Sequence, residues 1–173
     1  MARTTSASKR LVRGVLRVMR LSKRGQLPER MTRGAAGYDL QVPVKVVLEP
    51  RQVRRISLDI AVSVPKGCYG RLAPRSSWTV RGLSVLGGVV DSDYTGPLVA
   101  ILMNHGDEVL TIEEFERPIQ LIIEQIAICR VREVTELRST GRGQGGFGST
   151  DESSPTPPPP SFETLPVPEP SYT

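Results

Sequence analysis

The sequence predicts an all-β domain, a barrel or jelly roll of short strands. Three observations carry that expectation. Short segments rich in Val, Ile and Leu recur along residues 15–132. Several are too short and too β-branched to be helices. Turn signals such as Pro65-Lys66-Gly67 and Asn104-His105-Gly106-Asp107 separate them.

Taken in order, the expected strand segments are 15–21 (VLRVMRL), 42–48 (VPVKVVL), 54–64 (RRISLDIAVSV), 69–73 (YGRLA), 98–104 (LVAILMN), 108–112 (EVLTI) and 119–132 (IQLIIEQIAICRVR). Residues 76–81 (SSWTVR) form the best candidate for a short helix, with Ser as a good N-cap residue type. The 173 residues favour one domain, long enough to bury a core without staples. The chain divides into a basic arm at 1–14, a globular part at 15–150 that includes a Gly-rich arm at 138–150, and a Pro-rich tail at 151–173. The tail holds eight of the fifteen prolines and cannot bury a core, so it is expected to be extended. Its prolines suit an SH3- or WW-type ligand, but it carries no full recognition motif, so any partner of the tail is unknown.

Composition excludes several classes of function. The net charge of +5 is lopsided: residues 1–33 carry ten Lys or Arg against Glu29 alone, and the remainder carries thirteen against seventeen acids. A nucleic-acid-binding domain spreads bases over a face and interleaves aromatics. Aromatics are only 5% here, so no stable nucleic-acid binding is expected. Cys68 and Cys129 make neither a disulfide framework nor metal-ligand spacing, and His105 alone cannot build a zinc site. No apolar run approaches a membrane span, and the basic arm lacks an apolar signal core. The expected address is intracellular: nucleus, cytoplasm or mitochondrion.

Three constellations carry chemistry. In Arg142-Gly143-Gln144-Gly145-Gly146-Phe147-Gly148-Ser149-Thr150, four glycines in nine residues free backbone N–H groups to face an anion. Arg142 adds a planar cation for phosphate oxygens, Ser149 and Thr150 add hydroxyls, and Phe147 can cover something flat. The alternative is a linker into the Pro-rich tail. In Gly70-Arg71-Leu72-Ala73-Pro74-Arg75-Ser76-Ser77, a strand ends at Pro74 and two hydroxyls follow at a helix start, which suits either capping or a phosphate site. In Gly87-Gly88-Val89-Val90-Asp91-Ser92-Asp93-Tyr94-Thr95-Gly96, an apolar hairpin arm ends in two acids. Strand alternation would put Asp91 and Asp93 on one face.

In order and spacing these segments resemble the motifs of the trimeric dUTPase family. Gly34-Ala35-Ala36-Gly37-Tyr38-Asp39-Leu40 is similar to the first motif, Pro74-Arg75-Ser76-Ser77 to the second and the Asp91–Tyr94 hairpin to the third. Arg117-Pro118-Ile119-Gln120-Leu121-Ile122 resembles the fourth, and the Gly-rich segment ending in Thr150 the fifth. The resemblance covers about residues 15–150. It implies a distorted jelly-roll-like barrel with a flexible Gly-rich arm, a homotrimer whose sites draw on all three chains, and hydrolysis of dUTP to dUMP and pyrophosphate. That activity limits uracil incorporation into DNA and supplies dUMP for dTMP synthesis.

The resemblance also implies roles. Asp91 activates the attacking water, and Tyr94 packs under the deoxyribose. Backbone groups around Gly88 and Val90 read uracil. Arg75, Ser76, Ser77 and Gln120 serve the phosphates. Arg142, Gly148, Ser149 and Thr150 close over the triphosphate, and Phe147 stacks on the base. Asp39 and Arg117 are structural supports, and Arg75 shares that role with Asp39. Mg²⁺ is held mainly by phosphates and waters, without direct protein ligands.

The sequence departs from the family pattern at Phe115 and Pro118 in the fourth motif, at Thr95-Gly96-Pro97 after the third, at Asp151 after the fifth and at Trp78. The related dCTP deaminases need a catalytic glutamate where this chain has Ile101, which cannot shuttle protons. A binding protein that has lost catalysis would be expected to lack some of Asp91, Tyr94, Arg142 and Phe147, yet all four are present.

Overall fold

A computed structural model describes residues 14–141 and Gly143. Two compact units divide the chain, 1–130 and 131–173. The first contains every strand: β1 (Arg17–Arg20), β2 (Gly37–Leu40), β3 (Val46–Leu48), β4 (Val53–Ser63), β5 (Cys68–Pro74), β6 (Leu83–Leu86), β7 (Val89–Val90), β8 (Pro97–Asn104), β9 (Leu110–Ile112) and β10 (Ile119–Gln125). One helical turn, α1 (Ser76–Thr79), follows β5. In the second unit, the described residues hold no strand or helix. There Val131 and Leu137 are exposed, and the Gly143 N–H donates to the Thr140 carbonyl at 3.0 Å.

The strands form three antiparallel sheets in the orders β1-β4-β8-β6, β2-β10-β5-β7 and β3-β9. This is the jelly-roll-like all-β architecture the sequence predicts. Most neighbours are distant in sequence: β2 pairs with β10, which sets the first motif beside the fourth. Alternation decides what faces inward. Along β8, Leu98, Ala100, Leu102 and Asn104 are buried, while Val99, Ile101 and Met103 face the other way. Each fully buried leucine of this kind contributes about 1.5–3 kcal/mol relative to exposure. Leu40, Leu58, Ile60, Leu72, Ile112, Ile119 and Leu121 complete the same cluster.

Several expected boundaries change. The segment 119–132 is strand only to Gln125; the Ile126 N–H donates to the Gly67 carbonyl, and residues 126–130 are exposed outside the sheet. The segment 42–48 is strand only from Val46, because Val42 instead bonds the turn before β10 through the carbonyl of Glu116 and the N–H of Phe115. β2 and β6 are not among the expected strands, being too short to signal themselves, and β7 keeps only Val89 and Val90 of the expected hairpin arm. Asp59, at φ 54, marks a bulge in β4 that no alternation pattern announces.

Asn104 joins the loops at one end of the barrel. Fully buried, it donates from Nδ2 to the carbonyls of Glu108 (2.7 Å), Leu48 (3.1 Å) and Glu49 (3.3 Å), and its Oδ1 accepts from the Gly106 N–H (2.9 Å). Asn104→Leu strands the buried Leu48 carbonyl and removes a partner from three part-buried backbone groups, and each unsatisfied buried group costs about 1–3 kcal/mol. Urea denaturation should show a loss of about 3 kcal/mol, in line with breaking a buried network. A variant as stable as the parent would mean that water replaces the amide.

Candidate active site

The third motif begins where the chain changes sheets. β6 belongs to the β8 sheet and β7 to the β5 sheet, and Gly87 and Gly88 link them with φ of 68° and 76°. The Leu72 N–H donates to the Gly88 carbonyl at 2.7 Å. A Cβ on Gly88 would lie 2.8 Å from the Leu72 carbonyl oxygen, so glycine is required by both conformation and space.

Val90 is buried and pairs with Gly70, after which the chain leaves the sheet. Asp91 through Tyr94 form a turn closed by the Tyr94 N–H on the Asp91 carbonyl, 3.2 Å. The two acids therefore do not share a strand face by alternation, as the sequence suggested. Asp91 and Asp93 are both exposed, and Tyr94 folds back over Gly96 with its hydroxyl donating to the Pro97 carbonyl at 2.8 Å.

Asp91 and Tyr94 edge a cavity of about 240 Å³ lined otherwise by Leu72, Leu86, Gly88, Val89, Val90, Pro97, Leu98, Val99 and Ile101. Complete small-molecule sites run to roughly 300–1,000 Å³, so this is space for part of a ligand. Its wall is apolar with one carboxylate at the edge. Ile101 stands in that wall, where it supplies no proton carrier for deamination.

A second group forms where β2, β10 and β5 lie side by side. Gln120 is level with Asp39 on β2 and with Ala73 on β5. Its carboxamide crosses Gly37, where a Cβ would collide with Oε1, and Nε2 donates to the Pro74 carbonyl at 3.4 Å. Asp39 is buried, with Oδ2 3.0 Å from Arg75 Nη1. No N–H has hydrogen-bond alignment on that oxygen, and Nη1 donates to the Arg117 carbonyl at 3.0 Å. We therefore read the pair as an ion contact rather than a hydrogen bond.

Arg117 reaches Glu29 at 2.9 Å, and Glu29 exchanges backbone hydrogen bonds with Asp39. Pro118 sits just before β10, so its missing N–H removes no bond from the ladder described above. Phe115, where the family pattern has glycine, takes φ 63. Ser76 and Ser77 are exposed at the start of α1, whose N-cap is Arg75 without a side-chain cap bond; the capping alternative therefore does not account for them.

Val90, the last paired residue before Asp91, is level with Gly70 on β5, whereas Ser76 lies beyond Pro74 at the other end of that strand. At about 3.3 Å per residue, the strand from Gly70 to Pro74 spans roughly 13 Å. The structure thus gathers Gly88, Val90, Asp91 and Tyr94 in one place, and Asp39, Arg75, Ser76, Ser77, Arg117 and Gln120 in another. Arg142, Phe147, Gly148, Ser149 and Thr150 lie outside the described residues.

Sequence reasoning missed Glu29, which it counted only as a charge, and a cluster on the outer face of β5 and β10. In that cluster Glu124 accepts from the Tyr69 hydroxyl (2.6 Å) and from Arg71 Nε (2.8 Å). The bond from Arg71, then that from Tyr69, lowers the Glu124 pKa; the bond to Glu124 raises that of Tyr69. Cross-strand pairing of Tyr69 with Glu124 could be found only once the register was known.

Fold and site define a β-barrel protein built to hold a small molecule, with an exposed carboxylate beside an apolar cleft. A family model for dUTPase matches residues 23–151. The deoxyuridine 5'-triphosphate nucleotidohydrolase of Monkeypox virus is 41% identical over 135 residues, 78% of this chain and 89% of that protein. Its counterpart from Oryza sativa subsp. japonica is 42% identical over 137 residues, 79% of this chain and 80% of that protein. Among solved structures, a mutant dUTPase of Staphylococcus bacteriophage 80alpha with dUpNHpp superposes with a TM-score of 0.74 at 32% identity, covering 79% of this chain and 98% of that one. A mutant dUTPase from phage phi11 of S. aureus, described with a structural Mg(II) ion, gives 0.68 at 28% identity, covering 73% and 100%. The chain belongs to the dUTPase family.

Gly88→Ala tests the turn. Forcing a Cβ into positive φ against the Leu72 carbonyl should cost about 1–3 kcal/mol of stability. It should also weaken nucleotide binding, read by calorimetry at a temperature where the variant stays folded. Unchanged stability and binding would show that the turn tolerates a side chain.

Proposed function

We propose that this protein is a dUTP diphosphatase that hydrolyses dUTP to dUMP and pyrophosphate. The observation that carries the mechanism is the exposed Asp91 carboxylate beside an apolar cleft edged by Tyr94. Uracil enters that cleft. The Gly88 carbonyl already accepts from Leu72, so it offers the base only its second lone pair, and the remaining contacts come from N–H groups and from Val90. The Tyr94 ring, tethered through its hydroxyl, lies under the deoxyribose and leaves no room for a 2′-hydroxyl.

Asp91 accepts a proton from a water as that water bonds to the α-phosphorus. The bond from that phosphorus to the oxygen bridging to the β-phosphorus breaks, and pyrophosphate leaves. Ser76, Ser77 and Gln120 hold the phosphates, with Arg75 contributing through the guanidinium nitrogens other than Nη1. Asp39 and Arg117 keep that group in place. Arg142, Ser149 and Thr150 close over the triphosphate and Phe147 stacks on the base; for these the support is the sequence motif alone.

The donors at the site are carboxylate and hydroxyl oxygens, the hard ligands that suit Mg²⁺ and its waters. When bound through the phosphates, Mg²⁺ neutralises charge along the triphosphate.

The assembly we propose is a homotrimer. Two observations support it: Val90, the last paired residue before Asp91, and Ser76 lie toward opposite ends of β5, and the exposed Val53 stands beside the half-buried Met103 on the outward side of β8. Neighbouring chains then complete each other's sites.

Pyrophosphate release from dUTP with and without Mg²⁺ tests the activity. Asp91→Asn should lower kcat by about 10²-fold or more while dUTP binding is largely kept. A fully active Asp91→Asn enzyme would remove that carboxylate from the chemistry.

Co-expressing Asp91→Asn chains with Ser76→Ala chains tests the shared site. Mixed trimers contain sites with both residues intact, so their activity should exceed that of either parent. If mixing restores nothing, each site lies within one chain.

A further inference from the structure

α1 is a single turn, too short to persist by its own hydrogen bonds, since helix nucleation is unfavourable. It also lacks local support. Its N-cap makes no side-chain bond, and its first turn holds no acid. Ser76, Ser77 and Thr79 are exposed, and Trp78 is the only buried residue of the turn, at 6% exposure. The indole therefore anchors the element from below, while Arg75 braces its start through Asp39 and the Arg117 carbonyl.

The anchor is itself covered. The Arg81 guanidinium lies 4.0 Å from the centre of the Trp78 ring, and Nη2 donates to the Thr111 carbonyl on β9 at 3.4 Å. The Arg81 N–H also returns to the Trp78 carbonyl at 3.0 Å, and Gly82, at φ 89, ends the turn. A guanidinium over an indole face is an attractive contact, strongest on tryptophan among the aromatic rings. The Arg81 guanidinium thus bridges the Trp78 ring and the Thr111 carbonyl of β9.

We propose that Trp78, covered by Arg81, is a positioning residue that holds Ser76 and Ser77 in the orientation that binds the phosphates of dUTP. The proposal rests on the reading of those serines as phosphate contacts. It goes beyond family resemblance, because the pattern usually has an aliphatic residue here. A bulky flat anchor with a cation over it fixes the turn in rotation as well as depth, which a small branched side chain does not. Trp78 and Arg81 touch no phosphate; they act through the serines.

The test uses the full chain and two ligands, a non-hydrolysable α,β-imido analogue of dUTP and deoxyuridine, which has no phosphate. Trp78→Ala and Arg81→Ala should raise KM for dUTP about tenfold with kcat little changed, the signature of lost binding common to ground and transition states. They should weaken the imido analogue by a similar factor and leave deoxyuridine affinity unchanged. Trp78→Phe should restore most of the loss.

Equal weakening of both ligands would mean general damage to the fold and would overturn the proposal, as would unchanged binding in both variants. Ser76→Ala separates the two readings. If it leaves KM unchanged, the phosphate role of Ser76 fails and takes the proposal with it. If Ser76→Ala weakens binding while the Trp78 and Arg81 variants do not, only the positioning proposal fails. Should Trp78→Ala not fold, the parent protein still decides. Trp78 is its only tryptophan, so emission should change with the imido analogue and not with deoxyuridine. An emission that ignores the imido analogue would overturn the proposal.

Discussion

β10 pairs with β2 along one edge and with β5 along the other, so that Gln120 stands level with Asp39 on one side and Ala73 on the other. Its neighbour Leu121 is fully buried between Tyr38 and Leu72 in the same ladder. Because side chains alternate with a period of two, a slip of one residue would put Gln120 in the core and Leu121 outside. The apolar residues of β10 thus hold Gln120 in register with Asp39 and Ala73. The same pairing places Pro74 beside Ile119, which starts α1 at that end of the barrel and sets Arg75 against Asp39.

Around that register the chain accepts costs where backbones or side chains must come close. Gly37 has no Cβ because the Gln120 carboxamide lies where it would be, and Gly88 has none because the Leu72 carbonyl is there. Phe115 does the opposite. It keeps a side chain at φ 63 in the turn where Val42 bonds the backbone on both sides. A positive φ for a bulky residue is strained, and those two hydrogen bonds are what hold it. Asp39 carries an electrostatic cost of its own. It is a buried carboxylate whose partner cation divides its attention with a carbonyl, so Arg75 is required as much to keep Asp39 paired as to meet a ligand.

The two halves of the site are stiff in different ways. The cleft beside Asp91 is bounded by sheet backbone and by core side chains such as Leu72 and Leu98, so its shape comes with the fold. The serine turn is one helical turn held at two points, Arg75 and Trp78. A ligand whose base fits the first half and whose phosphates need the second is selected at both ends. An assembly that brings the halves of neighbouring chains together makes each site depend on correct association.

By itself the sequence determined the β class, the main long strands, the helical turn at Ser76 and the identity of the motif residues. These are local signals: β-branched runs, Gly and Pro punctuation, and residue types at fixed spacing. It did not determine the short strands β2 and β6, which owe their conformation to partners far along the chain. It misread Asp91 and Asp93 as alternating on a strand, because the exit of the chain from the sheet after Val90 is set by where β5 stops pairing it. It also could not foresee that Glu29 braces Arg117, that Glu124 binds Arg71 and Tyr69, or that Arg81 covers Trp78. Only the tertiary structure decided which motifs share a place, and it put Val90 and Ser76 toward opposite ends of β5. Spacing along a chain records order, whereas proximity in a barrel is fixed by register, and register is the sum of many pairings that no single segment contains.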